Sequence, residues 1–137
     1  MKAFVLDAST ALGWMLDRPV PVRASRAREL IVAGATPVVP ALWRYEVSSA
    51  VVVAERRGRL TAAQVETLSA DLDEFCLVAE LDPASVQASA LIQLARHHQL
   101  TAYDAAYLEL ALRRRLPLAT LDERLEAAAQ RAGLALI

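Results

Sequence analysis

Ala3-Phe4-Val5-Leu6-Asp7 is a run of four apolar residues that ends at a carboxylate. A short apolar run without polar alternation is typical of a strand buried on both faces, as the strands of parallel sheets are. Parallel strands present their C-terminal ends at one edge of the sheet, and ligands of open α/β sheets bind at that edge. The segment therefore predicts a buried first strand and makes Asp7 a candidate site residue.

Short apolar runs alternate with longer helical patterns throughout the 137 residues. The predicted strands are Ala3 to Leu6, Pro37 to Val39, Leu77 to Glu80, Leu116 to Ala119 and Ala135 to Ile137. This alternation predicts an α/β fold with three layers, in which a short central parallel sheet of roughly four to five strands is covered by helices on both faces. The length fits a single domain over residues 1–137.

Helical patterns occupy the segments between these strands. The predicted helices are one that starts just after Asp7, Val22 to Ala33, Ala41 to Arg57, one from Thr61, one from Pro83 or Ala84 to about His97, Tyr103 to Arg114, and Glu123 to Ala132. Pro40 and Thr61 are typical of helix starts, whereas Gly58 and Gly133 are typical of residues that end a helix.

Cysteine content and hydropathy bear on the compartment. Cys76 is the only cysteine, so no internal disulfide is possible, which fits a reducing compartment. Asp7 ends the first apolar run too early for a signal peptide. The longest uncharged stretch, Leu30 to Trp43, is shorter than the roughly 18 apolar residues of a spanning helix. We therefore expect a cytoplasmic protein that does not associate with membranes.

The charge balance does not by itself predict a nucleic-acid-binding protein. The formal net charge is −1 and the pI is near 6.1, whereas attraction to phosphate comes mainly from basic side chains. Every basic residue except Lys2 is arginine, the side chain best suited to bidentate phosphate contact. One hypothesis is a local basic rim built from Arg23, Arg26, Arg113, Arg114 or Arg115. The simpler interpretation of these arginines is solvated helix faces.

Four carboxylates, Asp7, Glu46, Asp104 and Asp122, lie where an apolar element ends or a helix turns inward. For three of them a helix cap is an alternative to a site. Asp7 and Asp122 each precede a predicted helix, and Asp104 has capping-box spacing from Thr101. Independent caps need not converge, however, whereas parallel topology brings Asp7 and Asp122 to the same sheet edge.

Glu46 is not explained by capping. Residues three, four and seven positions away share its helical face, and these are Leu42, Trp43, Ser49, Ala50 and Val53. A carboxylate on a mostly apolar face points towards the interior, where an unpaired charge is costly. Its two explanations are a buried ion pair, for example with Arg57, and an acidic pocket that binds a metal.

A divalent cation would offset the mutual repulsion of four clustered carboxylates. Mg²⁺ prefers hard oxygen ligands and keeps several of its waters, so it would take one or two carboxylates directly and the others through water. Mn²⁺ fits the same oxygen ligands. The sequence therefore predicts a metal-dependent phosphodiesterase site.

Four segments together resemble a known family. They are Val5-Leu6-Asp7-Ala8-Ser9, Val39-Pro40-Ala41-Leu42-Trp43-Arg44-Tyr45-Glu46-Val47, Leu100-Thr101-Ala102-Tyr103-Asp104-Ala105-Ala106-Tyr107 and Leu118-Ala119-Thr120-Leu121-Asp122-Glu123-Arg124-Leu125. In content and order they resemble a PIN domain, and in particular the VapC-type toxins of type II toxin–antitoxin systems. The resemblance spans essentially the whole chain.

The resemblance implies a Mg²⁺- or Mn²⁺-dependent endoribonuclease that hydrolyses RNA to leave a 5′ phosphate and a 3′ hydroxyl. It also implies a homodimer, and a hetero-oligomer with a cognate VapB-like antitoxin whose C-terminal segment covers the active site. The fold it implies is a single PIN-like nuclease domain.

The family's acidic positions fall on Asp7, Glu46, Asp104 and Asp122, and its neighbouring polar positions fall on Ser9 and Thr120. We expect Asp7 and Asp104 to bind the metal most directly. Glu46 and Asp122 would hold metal-bound water or a second ion, and either is a candidate proton acceptor. Ser9 and Thr120 would orient ligands or contact phosphate, with helix capping as the alternative.

Two other functions are compatible with such a sheet. An aspartate-based phosphoryl-transfer protein would need a lysine near the site, yet the only lysine is Lys2, and Ser9 stands where the phosphatases have a second aspartate. A catalytically silent, PIN-like protein-binding adaptor would use apolar helix faces such as Val51 to Val53, although core packing is the commoner use of such faces.

Overall fold

The computed structural model describes residues 1–80 and 86–137. The elements in this part of the chain are, in order, β1 (Ala3–Leu6), α1 (Ala8–Leu16), α2 (Val22–Val32), β2 (Thr36–Pro40), α3 (Leu42–Arg56), α4 (Ala62–Glu74), β3 (Val78–Glu80), α5 (Ala88–His98), α6 (Ala102–Arg114), β4 (Leu118–Ala119) and α7 (Glu123–Arg131). The predicted α/β class is confirmed, and most predicted helices agree with the observed ones to within two residues.

The sheet is parallel and has the strand order β3-β2-β1-β4. Val5 is paired with Val38 on one side and with Leu118 on the other, so β1 is a central strand. The chain leaves β1 in one direction to form β2 and β3, then returns across the sheet to form β4 on the other side of β1. The strand order therefore reverses at β1, and the crevice outside the carboxyl ends of β1 and β4 is where an open α/β sheet binds its ligand.

Helices cover both faces of this sheet. Because the chain crosses the sheet in opposite directions before and after β3, right-handed crossovers place α1 to α4 on one face and α5 and α6 on the other. The helix α6 packs against β1, β2 and β4, while α3 packs against β2 and α2 against β4. Phe4, Val5 and Leu6 are fully buried between the two helical layers, as their apolar run predicts.

The fifth predicted strand, Ala135 to Ile137, is reduced to one bridge between Leu136 and Leu118. Its neighbour β4 is also shorter than predicted. Pro117 lies just before β4 and has no N–H to donate, which confines the ladder to two residues. The C-terminal segment can therefore bond only around Leu118, whose amide donates to the Ala135 carbonyl at 2.9 Å.

Two other boundaries differ from prediction or cannot be compared. Pro83 and Ala84, where the fifth predicted helix starts, lie outside the described residues. Among the described residues, α5 begins at Ala88, because Gln87 has extended backbone angles and serves as the N-cap of the helix. Thr61 caps α4 as expected and forms a full capping box with Gln64.

Gly13 allows a close approach of α1 to its neighbours. A Cβ at this position would lie 2.7 Å from Leu121 Cδ1 and 3.1 Å from Ala24 Cβ. The first contact joins α1 to the loop between Thr120 and Asp122, so the packing of this glycine bears directly on the carboxyl edge of the sheet. Among the described residues, no helix is long and apolar enough to cross a bilayer.

Candidate active site

Asp7 occupies the carboxyl end of β1 and is only 4% exposed. Its Oδ2 accepts hydrogen bonds from Ser9 Oγ at 2.5 Å and from Thr120 Oγ1 at 2.7 Å. Asp7 is the N-cap residue of α1 by position, but its side chain makes no capping bond, so capping does not explain the carboxylate. Both hydroxyls donate to the same carboxylate oxygen, which fixes the orientation of the Asp7 carboxylate. The other oxygen, Oδ1, is left available to a ligand.

Ser9 and Thr120 also link the loop after β4 to this carboxylate. Ser9 Oγ accepts a bond from the Leu121 amide at 3.0 Å, and Thr120 Oγ1 accepts one from the Asp122 amide at 3.0 Å. The two hydroxyls therefore join the ends of β1 and β4 into one polar network. They orient Asp7 directly, while contact with phosphate stays a prediction.

Asp122 lies at the same edge and does cap a helix. Its Oδ1 accepts a bond from the Leu125 amide at 2.8 Å, at the start of α7. The alternative weighed from the sequence is therefore correct for this residue, but the cap uses only one of its two oxygens. Thr101 similarly caps α6 by accepting a bond from the Asp104 amide at 3.1 Å, and the Asp104 side chain is half-buried.

Glu46 is half-buried on α3 and accepts a short hydrogen bond from a tyrosine. The Tyr107 hydroxyl donates to Glu46 Oε1 at 2.6 Å. Among the ion pairs of residues 1–80 and 86–137 none includes Glu46, so the proposed pairing with Arg57 is wrong. The carboxylate on the apolar face of α3 is therefore compensated by a neutral hydrogen-bond donor instead of a cation.

Tyr107 had no role in the sequence interpretation. Its side chain is fully buried, and burial raises its pKa well above the ordinary value, with the bond to Glu46 and the charge of Asp7 acting in the same direction. The hydroxyl is therefore neutral and remains a donor. Tyr107 follows Asp104 by three positions, which puts the two residues on one side of α6, and this spacing is the signal that could have identified it.

The carboxylates influence one another electrostatically. Burial raises the pKa of Asp7 to about 6, opposed by the bonds from its two hydroxyl donors and reinforced by the charges of Glu46 and Asp104. Burial also raises the pKa of Glu46, as does the charge of Asp104. The pKa of Asp104 is raised first by burial and then by the charge of Asp122. These charge effects link Asp7, Glu46 and Asp104 to one another, and Asp104 to Asp122, across the carboxyl edge of the sheet.

The donor set fits a hard divalent cation bound partly through water. Within the described residues no group of three or more carboxylate, imidazole or thiolate side chains is arranged so that it could hold a metal ion. Mg²⁺ does not need one, because it commonly takes one or two protein carboxylates and keeps its waters. The carboxylates Asp7, Asp104, Glu46 and Asp122 offer only oxygen ligands. Burial, and to a smaller extent neighbouring charges, raise the pKa values of Asp7, Glu46 and Asp104, and a bound cation would lower them.

Several arginines of the proposed basic rim are held in ion pairs. Arg23 contacts Glu126 at 2.6 Å, and both Arg113 and Arg114 contact Glu80, at 3.3 and 3.2 Å. The positive charges of these three side chains are therefore partly neutralised. The hypothesis of a basic rim is weakened for these three arginines, whereas Arg26 and Arg115 take part in none of the ion pairs of the described residues.

Comparison with known proteins places the fold in a family. The PIN domain matches residues 4–131, and no curated protein sequence matches significantly. Among solved structures, PAE2754 from Pyrobaculum aerophilum is similar with a TM-score of 0.68 and 25% identity, covering 98% of this chain and 83% of that one. FitAcB from Neisseria gonorrhoeae is similar in fold with a TM-score of 0.67 and 16% identity, covering 98% of this chain and 96% of that one. Since the family match spans residues 4–131, which is most of the chain and includes all four acids, this chain belongs to the PIN-domain family.

Proposed function

We propose that this protein is a metal-dependent endoribonuclease of the VapC type and the toxin component of a toxin–antitoxin pair, with residues 1–137 acting as a single nuclease domain. The observation that carries the proposal is the buried Asp7, oriented by Ser9 and Thr120, within a cluster of four mutually repelling carboxylates. Membership of the PIN-domain family supports a nuclease, and the fold likeness to FitAcB supports the toxin–antitoxin setting.

Mg²⁺ is the metal that this cluster would hold, with Mn²⁺ as the substitute. Asp7 and Asp104 are the proposed direct ligands, and Glu46 and Asp122 would hold its waters or a second ion. When bound, the cation would lower the pKa of a water and neutralise charge that develops on the phosphate.

The side chains have distinct tasks in the proposed hydrolysis of RNA. Asp7 is held in one orientation by its two hydroxyl donors, so its free oxygen has a fixed direction. Glu46 and Asp122 are the candidate proton acceptors for the attacking water, since each uses one oxygen in a hydrogen bond and keeps the other. Thr120 also fixes the backbone of Asp122, which keeps the carboxyl edge rigid.

The proposed partners are an RNA substrate, a second copy of the chain, and a cognate VapB-like antitoxin in a cytoplasmic hetero-oligomer. An antitoxin that placed a basic side chain against the acidic cluster would inhibit by occupying the place of the cation. Burial and, after it, neighbouring charges raise the pKa values of Asp7 and Asp104, so a cation from either source would stabilise their ionised forms, which supports this.

Cleavage by purified protein tests the activity. Structured RNAs would be incubated with Mg²⁺, Mn²⁺ or EDTA, beside the variants Asp7→Asn and Asp104→Asn. We expect each substitution to lower the rate by about a thousandfold or more, which is in the range expected when a metal-activated nucleophile is lost. Undiminished cleavage in EDTA or in either variant would overturn the proposed chemistry.

Two rivals are addressed by the same preparations. A covalent mass increase on Asp7 after incubation with a small phosphodonor would favour phosphoryl transfer. Metal binding in calorimetry that Asp104→Asn abolishes would argue against a silent adaptor, because an adaptor has no reason to retain a metal-dependent site.

A further inference from the structure

A cavity of about 350 Å³ lies between the carboxyl end of α5 and one side of α7. This volume falls at the lower end of the roughly 300–1,000 Å³ that is usual for ligand pockets. Two consecutive residues at the end of α5 and four residues of α7 form its walls, and these are His98, Gln99, Glu123, Arg124, Ala127 and Arg131. Among the described residues, the lining includes none of the four acids, so the cavity is separate from the candidate active site.

Two arginines of α7 line the cavity together. Arg124 and Arg131 are seven positions apart, which is close to two helical turns and puts them on the same side of the helix. In residues 1–80 and 86–137 neither takes part in an ion pair, in contrast to Arg23 and Arg113. A guanidinium group carries five N–H donors and no acceptor. Both arginines therefore have donors available for a ligand.

His98 adds a buried donor to the same cavity. Its side chain is 8% exposed, and Arg131 Nη2 lies 3.4 Å from its Nδ1. Because a guanidinium cannot accept a hydrogen bond, Nδ1 must be the acceptor, and a neutral ring then carries its proton on Nε2. Burial, followed by the effects of His97 and Arg131, lowers the pKa of His98, which favours this neutral form.

The Nε2–H group of His98 is accessible to a ligand. It makes no hydrogen bond to any of the described residues, where the one contact of the ring nitrogens is that of Nδ1 with Arg131. The fully enclosed side-chain atoms without a partner in that part of the chain are on Thr10 and Trp43, so His98 Nε2 is not closed off from solvent. The contact with Arg131 thus orients the ring and leaves one N–H group for use in the cavity.

The charges and hydrogen-bonding groups of the walls favour an anion. The guanidinium groups of Arg124 and Arg131 outnumber the single carboxylate, that of Glu123. Glu123 and Arg124 are also the first two residues of α7, and the amino-terminal end of a helix attracts negative charge. Phosphate oxygens only accept hydrogen bonds when ionised, and arginine contacts them in a bidentate manner. A cation would instead meet two guanidinium groups.

We propose that this cavity is a phosphate-binding site, in which Arg124 and Arg131 contact the phosphate oxygens and His98 donates from Nε2. The ligand class is a compound with an accessible phosphate group. That group could belong to a small molecule, such as a nucleoside monophosphate, or to the backbone of a polynucleotide. The site is independent of the proposed nuclease activity, because none of its residues belongs to the candidate active site.

Calorimetry of the full chain in EDTA measures binding at this site. EDTA removes the metal that could hold phosphate against the acids at the carboxyl edge. The probes are inorganic phosphate, adenosine 5′-monophosphate and a 12-nucleotide single strand of DNA. We expect Arg124→Gln and Arg131→Gln each to weaken binding of inorganic phosphate by roughly fivefold, the upper range for solvent-exposed charge pairs. Glu123→Gln should strengthen binding by a similar factor, because it removes the one negative charge from the walls.

Ring signals of the histidines report on the contact directly. The chain has two histidines, His97 and His98, so the ¹⁵N resonances of both rings can be assigned. We expect the His98 proton on Nε2 in the free protein, and we expect added phosphate to move this signal more than the signals of His97. Arg56→Gln is the matched control, because Arg56 is exposed on α3 and is in no ion pair of the described residues. Thermal unfolding checks that each variant is folded.

The outcomes separate the site from its alternatives. A wild-type protein that binds none of the three probes would overturn the site, and so would losses in Arg124→Gln and Arg131→Gln no larger than that in Arg56→Gln. Arginine-dependent binding in which the DNA strand is no tighter than adenosine monophosphate supports a small-molecule ligand. Arginine-dependent binding that is tighter for the strand supports a polynucleotide backbone. Absence of RNA cleavage by wild type contradicts the nuclease function and leaves the phosphate site standing.

Discussion

At the edge formed by β1 and β4, Asp7 is almost fully buried and two hydroxyl donors bind one of its oxygens. Across the cluster, Glu46 on α3 is half-buried, and Tyr107 is its one side-chain donor among the described residues. Asp7 is held by two hydrogen bonds at the sheet edge, whereas Glu46 is held by one hydrogen bond between two helices. The difference indicates a rigid anchor for a ligand on one side and an adjustable acid on the other.

Acid titration of the metal-free protein should show the largest effect of this asymmetry. The pKa of Asp7 is about 6 in the folded protein, raised from 3.8 mainly by burial. Between those values the folded state holds a proton that the unfolded state has lost, so the contribution of Asp7 to stability is fully present below pH 3.8 and is lost as pH rises through about 6. A shift of this size corresponds to a loss of about 3 kcal/mol.

The measurement is urea unfolding in EDTA between pH 4 and 7, for wild type and Asp7→Asn. We expect Asp7→Asn to lose the contribution of Asp7 to the change of unfolding free energy with pH. The variant should be more stable than wild type at pH 7. Asp73→Asn, at an exposed carboxylate on α4, serves as the control and should follow wild type. Identical slopes for wild type and Asp7→Asn would show that the anchor is not buried as described.

Thr120→Val tests the anchor through its second donor. Valine has nearly the same shape but cannot donate to Asp7 or accept from the Asp122 amide, so the carboxyl edge loses two bonds at once. Loss of such a supporting contact typically lowers metal affinity or activity by about 10-fold to 100-fold. Calorimetric Mn²⁺ titration and cleavage rates would both report the change.

Thr10→Val is a matched control for that experiment. Thr10 is 1% exposed, and its hydroxyl has no hydrogen-bond partner within the described part of the chain. Replacing this hydroxyl should leave cleavage unchanged, and it should not lower stability, because an unpaired buried polar group is removed. Equal losses in Thr10→Val and Thr120→Val would assign the effect to packing.

Tyr107→Phe tests the adjustable side. The hydroxyl bond lowers the pKa of Glu46 against the effect of burial, so its removal should raise that pKa further. If Glu46 must be ionised to accept a proton, the acid limb of the pH–rate profile moves to higher pH, with a rate loss of about tenfold at neutral pH. Tyr45→Phe, which removes an exposed hydroxyl, is the control, and a profile unchanged by Tyr107→Phe would exclude the tyrosine from positioning Glu46.

Gly13→Ala should have the smallest effect, through the packing of α1 against its neighbours. The new methyl group would meet Leu121 Cδ1, the end of a side chain that can move, and Ala24 Cβ, which cannot. We expect a destabilisation of about 1 kcal/mol, at the lower end of overpacking, and a slight loss of activity. Thermal unfolding of Gly13→Ala, Leu121→Ala and the double variant forms a cycle, in which additive losses would contradict a direct contact.

The sequence pattern predicted the parallel sheet and the edge on which the acids meet. Asp7 and Asp122 each follow an apolar run, and strand ends share an edge whatever their distance along the chain. The pattern did not predict the bond between Glu46 and Tyr107, because the relative placement of α3 and α6 depends on tertiary packing. An inward carboxylate predicts that a compensating group exists without identifying it.

Local chemistry also limited what could be predicted at the ends of elements. Pro117 shortened β4 by removing a donor, an effect that apolar content alone does not reveal. The ion pairs of Arg23 and Arg113 likewise join different elements, so a cluster of arginines in the sequence could not be separated into free and neutralised side chains.

The contact between Thr120 and Asp7 joins residues 113 positions apart. Closing a loop of this length costs conformational entropy, and contacts of such long range slow folding. During synthesis, moreover, Asp7 leaves the ribosome long before Thr120 exists to bind it. An incomplete chain therefore carries this carboxylate without its second donor, and after dilution from denaturant, recovery of an ordered active site should lag behind recovery of helical signal.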